Sequence, residues 1–320
     1  MKSTVFFILL FLFISSCSGG SEKKKSEEMV INNSEESITQ FPLPEIPIML
    51  TSSEDRREFL LKHYWDNFDF SDSTLVYNRN VSEQGFADML SLLNDNSISQ
   101  ELVKECIGNF SIRMEKYSYA RSFFMDLADE YMYNPNSPYY NELFYLIFLK
   151  NMLGSSYVDE ASKSSLSFRY NLLNRNMPGY KAENFIFYLR DGSNNSLYDM
   201  KINGDYILIF FYTPECEACK ELIGLVHNDE MINKAISDGI LTVLAVYTEG
   251  DEDLWHDSID VIPEKWIAAH DNGFIIDNAL YDLKAMPTIY LLDKNKKVIL
   301  KDTSYNSIRD FFVNTFIVDT

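Results

Sequence analysis

The first half of the chain carries the hydrophobic spacing of α-helices. Between about residue 51 and residue 177, apolar positions recur three and four residues apart, and no run alternates with a period of two. Ser53 and Ser82 can each cap a helix, and the two prolines in residues 134–138 end another. We therefore predict five or six helices with a core rich in Phe and Tyr, preceded by a proline-rich strap at residues 41–47.

The pattern changes after Pro178 and Gly179, where short apolar runs with β character begin. The predicted strands are residues 185–189, 206–212, 240–247 and 288–292, with an edge strand at 297–300. The predicted helices are residues 216–236, 263–269 and 308–317, and residues 249–257 form a loop with five acids. Alternating strands and helices predict a sheet covered on two faces. The fold class is therefore two-domain, an all-α domain at residues 41–174 followed by an α/β domain at residues 175–320.

The first seventeen residues have the pattern of a signal peptide. Lys2 supplies a positive start, residues 5–14 are all apolar, and small residues lead to Cys17. Ten apolar residues are too few to span a bilayer core of ~30 Å. Residues 18–40 contain mostly Ser, Gly, Glu, Lys and Asn, so we predict a flexible tether there.

The segment that ends at Cys17 resembles the lipobox of bacterial lipoproteins, in which the cysteine is acylated and becomes the new N-terminus. This resemblance implies that Cys17 is lipidated. It also implies a lipoprotein of the cell envelope, on the periplasmic side or in the outer membrane, held to the membrane by its lipid. The alternative is an ordinary secretory signal in which Cys17 is incidental.

The charge balance argues against one class of partner. The chain has 28 Lys and Arg against 48 Asp and Glu, a formal net charge of -20. A surface of this sign repels phosphate backbones, so we expect no nucleic acid partner. With 46% hydrophobic residues the chain is nevertheless typical of a folded protein.

Cys216 and Cys219 lie where the second strand passes into the predicted helix. Unpaired amides and the dipole at a helix N-terminus favour a thiolate, and two intervening residues bring the second sulfur within bonding reach. Cys17 is assigned to the lipid, and Cys106 lies on the apolar stripe of its helix as a buried, inert thiol. One cysteine pair therefore remains for an oxidising compartment.

At this pair the sequence resembles the thioredoxin fold, and more closely the TlpA/ResA-like thiol-disulfide oxidoreductases of the bacterial envelope. After the CxxC motif, residues 285–293 match the family's cis-proline loop in the expected order, and the resemblance covers about residues 175–320. The helical half resembles an uncharacterised domain that precedes thioredoxin-like domains in bacterial lipoproteins, a likeness that names no activity.

The resemblance implies specific roles for these residues. Cys216 is the nucleophile and Cys219 resolves the mixed disulfide that Cys216 forms with a partner. Pro287 is cis, the backbone of Met286 pairs with the partner's extended chain, and Thr288 begins the strand behind it. The implied partners are exported proteins with cysteines and an unidentified electron donor in the envelope, and no cofactor or metal is expected.

The sequence departs from the family pattern beside the cysteines. Most relatives have Trp where this chain has Glu215, and Phe210 replaces the buried Asp that usually accepts a proton. Glu215 and Glu217 flank the nucleophile and should oppose thiolate formation by charge repulsion. Glu221 is a candidate base, although a surface residue of the helix is the simpler interpretation.

Three alternatives remain at this stage. A peroxiredoxin-like peroxidase would use Thr213 and Cys216, but Ile209 stands where that family has a proline. A zinc site would need two ligands besides the cysteine pair, for which only His227 and His270 are candidates, and there is no second cysteine pair. A redox-idle binding or scaffold lipoprotein would act through the helical half. The direction of exchange, reductase or oxidase, is open.

Overall fold

The structure is a computed structural model that describes residues 40–202 and 204–318, with side chains described through residue 315. The predicted signal peptide, Cys17 and all of the predicted tether except Gln40 lie outside the described residues. None of the described helices combines the length and the apolar character that crossing a membrane requires.

The first part of the described chain is helical. Its α-helices are α1 (Ser53–His63), α2 (Ser73–Val76), α3 (Arg79–Leu93), α4 (Gln100–Met114), α5 (Ser118–Ala128), α6 (Glu142–Gly154) and α7 (Glu160–Leu173), and a π-helix (Asp129–Tyr133) continues α5. Six of these helices correspond to predicted ones. The pattern did not predict α2, because four residues are too few to show a helical period.

The core of the helical part is a cluster of aromatic rings around Trp65. The Trp65 ring centroid lies 4.8 Å from that of Phe110 and 5.5 Å from that of Phe124. Phe41, in the proline-rich strap, packs edge-on against Trp65 with ring centroids 4.9 Å apart. Phe41 also covers Gly85 of α3, where a side chain would collide with its ring. Phe41 thus attaches the strap to the helical core, whereas Leu43 of the strap is exposed.

Replacing Gly85 with Ala should destabilise the helical part, because an added Cβ would lie 2.1 Å from Cδ2 of Phe41. We expect a loss of about 1–3 kcal/mol in the free energy of unfolding, the usual cost of overpacking. Gly108→Ala is the control, since a Cβ there meets nothing within 4 Å and should gain up to about 1 kcal/mol of helix propensity. Thermal unfolding of the full chain measures both, and equal shifts would contradict the packing of the strap on α3.

The second part is a mixed sheet with helices. Its strands are β1 (Ile186–Leu189), β2 (Asn194–Ser196), β3 (Tyr206–Tyr212), β4 (Leu241–Tyr247), β5 (Ile267–His270), β6 (Thr288–Asp293) and β7 (Val298–Leu300). Its helices are α8 (Glu217–Asn228), α9 (Glu230–Ser237), α10 (Glu252–Ser258), α11 (Phe274–Asp277) and α12 (Tyr305–Val318). The strand order is β2-β1-β5-β4-β3-β6-β7, with β3, β4 and β5 parallel to one another.

Strand β3 lies inside the sheet and contributes to the cores on both faces. Leu208, Phe210 and Tyr212 belong to one core, together with residues of α8, α9 and α12. Ile207, Ile209 and Phe211 belong to the other core. This burial on both faces explains why β3 is nearly all apolar. A helical part followed by a mixed α/β part confirms the predicted fold class.

Two predicted helices of the α/β part are wrong in detail. Residues 263–269 are not a helix, because β5 begins at Ile267 and pairs in parallel with β4. Residues 216–236 are two helices, because Asp229 adopts an extended conformation and its side chain accepts a hydrogen bond from the amide of Ile232, which caps α9. The acidic loop at residues 249–257 contains most of α10.

Candidate active site

Cys216 is the N-cap residue of α8. Strand β3 ends at Tyr212, a short turn follows, and Cys216 has the extended backbone conformation typical of an N-cap. Its Sγ accepts a hydrogen bond from the amide of Cys219 at 3.0 Å. The sulfur therefore occupies the place that a serine hydroxyl or a carboxylate takes at other helix starts, where amides and the helix dipole favour negative charge.

Cys219 lies one turn further along α8, with 1% of its surface exposed, whereas Cys216 is half-buried. Burial and the neighbouring thiol of Cys216 raise the pKa of Cys219 to about 12. Both cysteines are free thiols in this structure. The pair thus combines an accessible sulfur with a buried, protonated one, as a nucleophile and a resolving thiol require.

The predicted cis-proline loop lies directly beside Cys216. The Met286–Pro287 peptide bond is cis, and the Cys216 thiol donates a hydrogen bond to the carbonyl of Met286 at 3.4 Å. Thr288 starts β6, which pairs antiparallel with β3, and its Oγ1 donates to the carbonyl of Ala285 at 2.6 Å. The structure therefore places Cys216 next to residues that are 70 positions away in the chain.

The three acids singled out in the sequence are exposed, and they lie in different environments. Glu217 forms a loose ion pair with Lys220, with 3.7 Å between Oε2 and Nζ. The charge of Glu215 is among those that raise the pKa of Tyr247, the last residue of β4. Glu221 lines a groove between α8, α9 and α12. That Glu215 and Glu217 oppose thiolate formation at Cys216 stays a prediction.

Glu249 is a site residue that the sequence reasoning missed. Its Oε2 accepts a hydrogen bond from Oγ1 of Thr213 at 3.1 Å, and its charge adds to the causes that raise the pKa of Cys219. The parallel pairing of β3 and β4 brings the residues that follow both strands to one edge of the sheet. This topology was the signal that could have drawn attention to Glu249, the second residue after β4.

Phe210 lies in the same core as Cys219, at the position where the resemblance implied a buried carboxylate. Phe210, Tyr212 and Cys219 are buried in the same hydrophobic core. The residues of this core include no carboxylate that could take the proton of the Cys219 thiol. The charge of the exposed Glu249 helps to raise the pKa of Cys219.

The residues of the rival interpretations are spread out. The Thr213 hydroxyl donates to Glu249. His227 is exposed at the end of α8, and His270 is buried against Trp255 with ring centroids 4.4 Å apart. Among the described residues, no three or more His, Cys, Asp and Glu side chains form a group that could hold a metal ion.

Cys106 is not part of the candidate active site. It is buried in the helical core, and burial raises the pKa of its thiol to about 12. A protonated, enclosed thiol is unreactive.

The family model for a domain of unknown function, DUF5106, matches residues 16–176. The chain belongs to this family. The match contains all of the helices α1 to α7, and no activity is attached to its description. No curated protein matches the chain.

Among solved structures, a thioredoxin-like protein from Bacteroides caccae is 37% identical, with a TM-score of 0.76. The match covers 85% of this chain and 98% of that protein, so it extends over both the DUF5106 part and the α/β part. The C-terminal domain of an uncharacterised protein from Bacteroides fragilis is 34% identical over 43% of this chain and 98% of that domain, with a TM-score of 0.42. The match to the Bacteroides caccae protein shows that the second part of the chain is thioredoxin-like. Its assignment to the TlpA/ResA-like branch stays a prediction.

Proposed function

We propose that this protein is a thiol-disulfide oxidoreductase of the cell envelope, which reduces or exchanges disulfides of exported proteins through Cys216 and Cys219. One observation carries the proposal. The half-buried sulfur of Cys216 caps α8 and contacts the carbonyl of Met286, while Cys219 is buried one turn away. An accessible thiol at a helix start, with a second thiol behind it, supports nucleophilic attack followed by resolution.

The first step forms a mixed disulfide. The thiolate of Cys216 attacks one sulfur of the partner's disulfide, the partner's S–S bond breaks, and its other sulfur leaves as a thiolate that takes a proton from water. An extended partner chain can pair with the backbone of Met286 during this attack, as in β-strand addition.

The second step releases the partner. Cys219 loses its proton to solvent, attacks Sγ of Cys216, and displaces the partner's remaining sulfur as a thiolate. The partner has then gained two electrons, and the Cys216–Cys219 pair is oxidised to a disulfide. A dithiol donor in the envelope, the second partner in this proposal, returns the pair to the reduced state. Run backwards, the same steps oxidise a dithiol.

The direct test is reduction of insulin disulfides by the intact protein with a chemical dithiol as donor. We expect turnover by the wild-type chain and a loss of at least about 100-fold in Cys216→Ala, because the attacking sulfur is gone. Cys106→Ala is the matched control and should keep full activity, since its thiol lies in the helical core. Equal, low rates in all three proteins would support a redox-idle scaffold instead.

The anchor is tested at Cys17. Replacing Cys17 with Ser should abolish lipidation, because the serine has no sulfur to acylate, and should release the protein from membranes or leave its precursor uncleaved. Membrane fractionation and the mass of the N-terminal peptide measure both effects. Unchanged processing and unchanged membrane association would rule out the lipid anchor without affecting the proposed redox chemistry.

A further inference from the structure

The helical part and its C-terminal connection hold the segment that leads into the cis-proline loop. Arg175 and Asn176, directly after α7, donate hydrogen bonds to backbone carbonyls of residues 278–280, and the bond from Asn176 is 2.9 Å long. Tyr133, in the π-helix, donates to Oδ1 of Asp282 at 2.9 Å. Two separate points of the first part therefore fix the backbone and a side chain of this segment.

A buried lysine, Lys284, forms a further contact between the helical part and the segment before the cis-proline loop. The side chain of Lys284 is 6% exposed, and its Nζ lies 2.7 Å from Oε1 of Glu142, at the start of α6. The same ammonium lies 3.1 Å from Asp282 and 3.0 Å from Asp302, and it donates to the hydroxyl of Tyr140 at 2.9 Å. One cation thus joins the helical part to the segment before the cis-proline loop and to Asp302, which follows β7.

Lys301 adds a second cation to this ionic cluster. Its side chain is 5% exposed, its Nζ lies 3.0 Å from Oε2 of Glu142, and it donates to the carbonyl of Leu173 at 2.6 Å. Burial alone would raise the pKa of Glu142, but Lys284 and Lys301 outweigh it and hold the pKa below its usual value. Glu142 is therefore the shared anion between the two lysines, and a buried cation that loses such a partner is costly.

The ionic cluster is only two residues away from the site. Lys284 precedes Met286, whose carbonyl accepts the hydrogen bond from Cys216, and Ala285 between them is held by Thr288. Ala285 is thus the single residue between Lys284 and Met286, and its carbonyl accepts a hydrogen bond from Thr288.

We propose that Glu142 and Lys284 are positioning residues through which the helical part sets the cis-proline loop for an incoming partner chain. The inference rests on the proposed function, and it gives the helical part a task in the same reaction. In this arrangement the helical part needs no chemistry of its own. Its Glu142 carboxylate is the counter-charge of Lys284, and this ion pair holds the Met286 backbone in the position where a partner chain can pair with it.

The test compares Glu142→Gln with Glu83→Gln in the full chain. Glu83 is a matched control because its side chain is 20% exposed, against 19% for Glu142, and it pairs with Arg79 and Tyr131 inside the helical part. In Glu142→Gln we expect amide hydrogen exchange at residues 283–288 to speed up about tenfold, and the KM for insulin to rise about tenfold with kcat within about twofold. Glu83→Gln should change neither quantity.

Tyr140→Phe is a second, milder variant, since it removes only the hydroxyl that contacts Lys284 and Asp302. It should shift exchange and KM in the same direction by about two- to threefold. Unchanged local exchange in folded Glu142→Gln and Tyr140→Phe would overturn the proposal, and so would faster exchange spread evenly over the chain. The exchange readout needs no activity, so a failure of the proposed function, seen as no insulin reduction by the wild type, is distinguished from a failure of this inference.

Discussion

A Cys219→Ala variant should accumulate mixed disulfides between Cys216 and partner proteins. The attack by Cys216 needs only its own sulfur at the start of α8, whereas release of the partner needs the thiol of Cys219. Removing Cys219 therefore stops the reaction at the covalent intermediate. Non-reducing gels of an envelope extract, followed by mass spectrometry of the trapped bands, should show complexes that a dithiol dissolves.

Two controls make the trapping experiment specific. Cys216→Ala should trap almost nothing, because the remaining thiol is 1% exposed and out of a partner's reach. The variant with both cysteines replaced should trap nothing, and Cys106→Ala should behave as the wild type does. Equal trapping by Cys219→Ala and Cys216→Ala would show that the two roles are assigned wrongly.

The rate of partner release should rise steeply with pH. Resolution needs the thiolate of Cys219, and burial, the first cause of its raised pKa, persists when Cys216 is bonded to a partner. At any pH well below a raised pKa, the thiolate fraction grows tenfold for each pH unit. We therefore expect the single-turnover rate of release to rise about 100-fold between about pH 6.5 and pH 8.5.

Stopped-flow measurement of thiol release from a preformed mixed disulfide with a small disulfide reagent gives this rate directly. In the Cys106→Ala variant, Cys216 and Cys219 are the cysteines left in the described part of the chain. This variant should give the same pH profile. A rate that levels off near pH 7 would mean that Cys219 ionises far more readily than its burial implies.

The sequence predicted the fold class and the placing of the cysteines for local reasons. Helical spacing in the first half and an apolar run at residues 206–212 are short-range signals, and the structure contains both, as α1, α3 to α7 and β3. Cys216 was expected at a helix start because a buried strand and an amphipathic stretch meet there. That expectation needs no knowledge of what else packs nearby.

The parts that the sequence did not predict depend on contacts between distant residues. Residues 267–270 form a strand because they pair in parallel with β4. Local β-propensity gives no information about such a partner. Glu249 joins the site because β3 and β4 end at the same edge. Lys284 and Glu142 lie 142 positions apart in the chain, and nothing in either local sequence indicates that they pair.

The same reasoning explains why the helical part carried no recognisable chemistry. Its candidate functional residue, Glu142, is one acid among many in a chain with 48 Asp and Glu. Its proposed role depends on its burial beside Lys284 and Lys301. This burial arises only in the folded chain and cannot be read from the local sequence.

The reduction potential of the Cys216–Cys219 pair tests the central claim most directly. The intact protein, equilibrated in thiol and disulfide mixtures of graded potential, should show one reversible two-electron transition between about -270 and -120 mV, the range of thioredoxin-like catalysts. The position within that range also gives the favoured direction of exchange. A pair that never forms a reversible disulfide, or one whose potential lies below about -300 mV as in structural disulfides, would contradict the proposed function.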